Sequence, residues 1–74
     1  MELNKNRIEI VSDVNERDGI GIEVYLENEL ILEIYRDDSK KTRTITTYKK
    51  EISVELMEQS LRTFEKEIPL DFIE

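Results

Sequence analysis

Residues 19–35, Gly19-Ile20-Gly21-Ile22-Glu23-Val24-Tyr25-Leu26-Glu27-Asn28-Glu29-Leu30-Ile31-Leu32-Glu33-Ile34-Tyr35, decide the fold of this chain. Ile20, Ile22, Val24 and Leu26 alternate with Gly21, Glu23, Tyr25 and Glu27. Successive side chains of a strand point to opposite faces, so this spacing builds a strand with one apolar side. Leu30, Leu32 and Ile34 repeat the pattern beyond Asn28, which predicts a second strand folded back on the first.

The apolar rows also predict the register. A two-residue turn at Glu27-Asn28 sets Leu26 opposite Glu29, core against solvent. A three-residue loop, Glu27-Asn28-Glu29, instead pairs Leu26 with Leu30, Val24 with Leu32 and Ile22 with Ile34. A slip of one residue turns every side chain to the wrong face, so the three-residue loop is expected. Asn28 or Glu29 then takes the left-handed conformation, and Asn28 suits it better. Glu23 falls opposite Glu33, and Tyr25 opposite Ile31. A four-residue loop, Asp38-Ser39-Lys40-Lys41, pairs Ile34 with Ile45, Ile31 with Tyr48 and Glu29 with Lys50.

Outward from this hairpin, Arg7 to Ser12 alternates and reads as a preceding strand, followed by a polar loop from Asp13 to Gly19. Thr42 to Lys50 is rich in threonine, with Ile45 and Tyr48, and reads as a last strand. A helix follows. Ser53 is its N-cap, with Ile52 and Met57 in the positions of a hydrophobic staple and Glu55 and Glu58 near the positive end of the dipole. Val54, Met57, Leu61, Phe64 and Ile68 form its apolar stripe, and Pro69 stops it at Ile68. The apolar tail Leu70-Asp71-Phe72-Ile73-Glu74 is expected to pack back on the domain.

The expected fold is α+β: a four-stranded antiparallel β-meander with one C-terminal α-helix packed on one face, in the order β-β-β-β-α. Residues 1–74 make a single small domain. The helix stripe is expected to cover Ile8, Ile10, Ile20, Ile22, Val24, Leu26, Leu30, Leu32, Ile34 and Ile45. The opposite face, with Tyr25, Ile31, Tyr35 and Tyr48 beside Glu23 and Glu33, is expected to stay open.

Arg7-Ile8-Glu9-Ile10-Val11-Ser12-Asp13, followed by Ile22-Glu23-Val24-Tyr25-Leu26-Glu27-Asn28-Glu29, resembles small uncharacterised bacterial proteins of the strand-meander-plus-helix kind. The resemblance covers roughly half the chain and rests mainly on alternating residues. It implies the same fold and a bacterial source, and it carries no activity and no functional residues.

Composition narrows the chemistry. A chain of 74 residues buries only about 60% of the surface its unfolded form exposes. Without cysteine it has no disulfide to compensate, and small unstapled folds often associate, so a homodimer is expected. The chain has no histidine, which removes His-based metal sites and the usual catalytic base. No apolar run reaches membrane-spanning length, and the first residues lack the apolar segment of a secretion signal, so a cytoplasmic protein is expected.

The net charge is −7, unevenly placed. Arg36, Lys40, Lys41, Arg43, Lys49 and Lys50 stand against Asp37 and Asp38 in residues 36–50, a local +4. The remainder holds 5 basic and 16 acidic residues, a body charge of −11. Cross-strand charge pairing and solubility account for such a hairpin, and attraction to a basic partner suits the acidic body.

The leading site is the tyrosine face, because tyrosine offers wide contact area with a polar tip and an apolar patch in mid-sheet is usually covered. Cross-strand support of the sheet is the plainer role of the same residues. Two carboxylates at Glu23 and Glu33 could share a proton or bind a hard cation, but nothing in the pattern adds a third ligand, so neither metal nor cofactor is expected. Aromatics beside a basic hairpin raise RNA, but glutamates lie among the tyrosines and no RNP motif is present. Few nucleophile candidates remain, so no enzyme is expected.

The sequence thus points to a non-enzymatic protein-interaction domain that self-associates or binds a protein partner through Tyr25, Ile31, Tyr35, Tyr48, Glu23 and Glu33. The alternative is a small acidic inhibitor, of immunity or anti-defence type, that blocks a basic site on its target. An RNA-binding sheet comes third.

Overall fold

Four antiparallel strands form one open sheet in the order β1-β2-β3-β4, and one helix follows them. The strands are β1 (Asn6–Asp13), β2 (Gly19–Leu26), β3 (Glu29–Asp37) and β4 (Thr42–Thr47), and the helix is α1 (Val54–Glu67). This computed structural model describes residues 6–13 and 18–69. The middle of the polar loop (residues 14–17) and the tail (residues 70–74) lie outside the described residues. The α+β meander-plus-helix architecture read from the alternation is the architecture present.

The central register is also as read. Ile22 pairs with Ile34, Glu23 with Glu33 and Val24 with Leu32. Toward the turn the reading needs correction. Leu26 pairs with Glu29 and Tyr25 with Leu30, with a bulge that breaks the register between Val24 and Tyr25. The connection is therefore the two-residue turn Glu27-Asn28, and both residues have positive φ, 52° and 69°. That is the backbone of the turns that match strand twist in tight hairpins. Ile31 is the extra residue of the bulge, so a tight turn and an in-phase core coexist.

The second hairpin follows the expected loop, with Asp37 opposite Thr42 and Ile34 opposite Ile45. The Tyr48 N–H donates to the Ile31 carbonyl at 2.8 Å, which continues that register. Glu29 Oε1 forms an ion pair with Lys49 Nζ at 3.1 Å.

α1 starts as its signals require. The Ser53 hydroxyl accepts from the Leu56 N–H at 3.1 Å, and Ile52 and Met57 both pack against the core. Ile68, extended at φ −118° and ψ 116°, ends it, as expected of a residue before proline. Met57, Leu61, Phe64 and Ile68 of the expected stripe pack on the core, but Val54 does not. Phe64, Ile68 and Ser60 are buried, while Val54 is 67% exposed. At ~100° per residue Val54 lies ~80° around the helix from Phe64, and Ser60 only ~40°. The small Ser60 sits inside because its hydroxyl donates to the Leu56 carbonyl at 2.8 Å and so carries no unpaired group into the core.

The core is a single cluster of Ile22, Val24, Ile31, Leu32, Ile34, Phe64 and Ile68. One row shows its limits. Ile10, Ile22, Ile34 and Ile45 are successive cross-strand partners. Ile22 and Ile34 are buried, whereas Ile10 is 54% and Ile45 46% exposed. A helix ~10 Å wide covers about two strands at ~4.8 Å spacing. α1 packs on β2 and β3, so the expected burial of Ile10 on β1 and Ile45 on β4 does not occur, and Leu26, at the end of β2 beside the tight turn, is 37% exposed.

Candidate functional site

The six residues of the predicted tyrosine face separate into two groups. Ile31, Glu33 and Tyr35 are 2%, 6% and 1% exposed, so their side chains are not available to a partner. Tyr25 and Glu23 are half-buried and Tyr48 is exposed. This face is not the open apolar patch that alternation predicts. Alternation reports which side of a strand a residue occupies and is silent on what lies over that side.

Where the face is reachable it is knit to itself. The Tyr25 hydroxyl donates to Glu23 Oε1 at 2.8 Å, and the Arg7 guanidinium stands 4.2 Å over the Tyr25 ring. Arg7 also donates to Glu9 Oε2 at 2.7 Å and to Asn28 Oδ1 at 3.0 Å. The hydrogen bond to Glu23 is the main cause that raises the Tyr25 pKa above 10.0, with burial and the charges of Glu23 and Glu9 adding to it and Arg7 opposing. Glu9, Glu23 and Glu33 stand side by side across three strands. Among the described residues no group of three or more His, Cys, Asp or Glu side chains is arranged to hold a metal ion.

The surface that the fold does leave open lies at the other margin. β4 ends the sheet, and all six of its residues are exposed. Because α1 stops short of it, a groove of ≈ 220 Å³ runs between β4 and the helix. Ile34, Ile45, Leu61 and Phe64 form its apolar floor and walls, with Arg43, Thr44 and Glu65 also lining it. The Tyr48 N–H points inward to Ile31. Backbone groups alternate along an antiparallel strand, which turns the N–H and C=O of Arg43, Ile45 and Thr47 outward.

Charge is sorted at the same margin. Arg36 is 2% exposed and sits between Asp38 and the chain after α1. Its Nη1 donates to the Pro69 carbonyl at 2.6 Å and its Nη2 to Asp38 Oδ2 at 3.2 Å. Nε stands 3.0 Å from Asp38 Oδ1, an ion-pair contact whose N–H misses the oxygen, and it has no hydrogen-bond partner among the described residues. Asp37 Oδ1 accepts from the Lys40 N–H at 3.1 Å in the turn. The internal members of the basic hairpin are thus Arg36 and both aspartates. What remains on its surface is Lys40, Lys41, Arg43, Lys49 and Lys50.

Sequence reading missed this groove because it assigned Ile45 to the core. The signal was there: one helix stripe cannot cover four strands, and Ile45 is the only apolar residue of β4. No family model, curated protein or solved structure matches the chain.

Proposed function

We propose that this chain is a non-enzymatic protein-interaction domain that receives a protein segment along β4. The observation that supports it most is the pairing of an exposed terminal strand, unpaired on its outer side among the described residues, with an apolar groove beside it. An extended segment laid against β4 gains backbone hydrogen bonds from Arg43, Ile45 and Thr47, and its alternate side chains reach the groove. Addition at the edge gives affinity through the backbone, and the groove gives selectivity. Ile45, half exposed on the free protein, becomes covered by the act of binding. Tyr48, at the end of β4 and on the other face, offers a further contact from the predicted set.

A photo-crosslinking side chain at Thr47 in the cell that makes the protein tests this reading. A discrete protein adduct is expected, either with a copy of the chain or with another protein, and Ile45→Asp should remove it. The same crosslinker at Glu58, on the exposed side of α1, should give none. An adduct at Thr47 that survives Ile45→Asp, or no adduct there, overturns the proposal.

A further inference from the structure

We propose that the segment received by β4 is an acidic strand of another protein, in which apolar residues alternate with aspartate or glutamate. This rests on the reading of β4 as a protein-binding edge and adds the partner's chemistry. Residues 39–50 contain Lys40, Lys41, Arg43, Lys49 and Lys50 and no carboxylate, and all five cations are exposed. The nearest acids of the hairpin, Asp37 and Asp38, are buried and already accept from the Lys40 N–H and from Arg36. The Lys49–Glu29 pair is about half exposed on both sides, so it contributes less than about 1 kcal/mol and exchanges readily.

Range decides which charge a strand at this edge feels. The body carries −11, but at physiological salt exposed charges are screened beyond ~8 Å. A strand seated ~4.8 Å from β4 lies alongside the five exposed cations, against which stand Glu29, paired with Lys49, and Glu65, which lines the groove with Arg43. Arg43 and Ile45 share the helix-side face of β4, as partners of Arg36 and Ile34. The matching face of an added strand therefore carries an apolar side chain beside Ile45 and a carboxylate that competes for Arg43 with the contact Arg43 already makes within the chain. Further carboxylates fall toward Lys40 and Lys41 at one end and Lys49 and Lys50 at the other.

The same charges disfavour a second copy as occupant. Two β4 strands paired antiparallel about a two-fold axis bring five cations against five, and like charges placed directly opposite are repulsive. Lysines on an edge are a common device against pairing of copies. Here they also select for the opposite charge.

Display of random short linear peptides against the whole chain tests the assignment, followed by NMR mapping of enriched peptides on the labelled protein. Enriched sequences should alternate apolar and acidic residues, and their amide shifts should fall on Thr42–Thr47, Leu61 and Phe64. Affinity should drop about tenfold with Lys49→Glu plus Lys50→Glu and fall further with salt. Neutral or basic peptides that still map to β4 overturn the acidic assignment and leave the interaction edge standing. Peptides that map elsewhere, or no enrichment, overturn both. Association of the pure protein through β4, seen by sedimentation and removed by Ile45→Asp, gives the edge to a second copy and overturns this inference alone.

Discussion

Tyr35 lies across Gly21. The two are direct partners in the β2–β3 ladder, and a β-carbon on Gly21 would run into the Ile34 carbonyl oxygen and stand 2.8 Å from both Cα and ring Cδ1 of Tyr35. A glycine in mid-strand weakens a sheet unless something covers the gap, and here a cross-strand aromatic covers it. Tyr35 is 1% exposed. Because the nearest obstacle is backbone, Gly21→Ala is expected to lower stability by about 3 kcal/mol or more, at the upper end for overpacked sites. Tyr35→Ala should cost about 3 kcal/mol or more, as for other large buried aromatics. Urea unfolding of both variants and of the double variant gives the check. Additive costs in the double variant would show that the ring and the glycine are not coupled.

Arg36 and Asp38 form the buried ion pair that anchors the β3–β4 turn to the chain after α1. Removal of one partner leaves the other as an uncompensated buried charge, so Asp38→Asn is expected to cost about 3 kcal/mol or more. Replacement of both by apolar residues of similar shape, Arg36→Met with Asp38→Leu, should cost less than the single change. Thermal unfolding decides the order, and a double variant less stable than Asp38→Asn alone would refute it.

The isoleucine row measures where the helix lies. Ile22→Ala and Ile34→Ala remove buried side chains and should each cost about 2–5 kcal/mol. Ile10→Ala and Ile45→Ala, at the two exposed ends of the row, should each stay below about 1 kcal/mol. Equal costs at Ile34 and Ile45 would mean that α1 covers β4 after all, and the groove would then be closed.

Tyr25 should be slow to ionise. Its pKa is raised, first through the hydrogen bond to Glu23, so folding favours the neutral phenol. That contribution is present below the unfolded value of about 10 and is lost as pH rises through the folded one. Absorbance titration of tyrosinate should contain a late component that Tyr25→Phe removes. Glu23→Gln should move the component back toward 10, because it removes the charged acceptor. A late component unchanged by either substitution would assign it to another tyrosine.

The parts of this fold legible in the sequence are those fixed by period and caps. Alternation from Ile20 to Ile34 gave the strands and the central register, and Ser53 with Pro69 bounded the helix. The misplaced burials share one reason, which is that sequence pattern assigns sides but not coverage. Ile45 points to the helix side and stays exposed because the helix is too narrow to reach it, while Tyr35 points away and is buried. The turn failed differently. The apolar rows of β2 and β3 are in phase only if one residue is absorbed, and pattern alone cannot tell a longer loop from a bulge at Ile31. The polar contacts of the site, such as Arg7 over Tyr25, depend on side chains 18 residues apart and carry no local signal.

Glu27 offers the last test, because the tight turn places strain on it. Glu27 and Asn28 both have positive φ, 52° and 69°. Asparagine tolerates the left-handed region, whereas an ordinary side chain pays roughly 1–2 kcal/mol there. Two-residue turns of this backbone favour Asn-Gly. Glu27→Asn with Asn28→Gly is therefore expected to raise stability by about 1 kcal/mol, although the Arg7–Asn28 hydrogen bond, which is exposed, is lost. Had the hairpin used a three-residue loop with Glu29 left-handed, the same pair of substitutions would loosen it and Glu29→Gly would be the stabilising change. Denaturation midpoints of the two variants separate these connections directly.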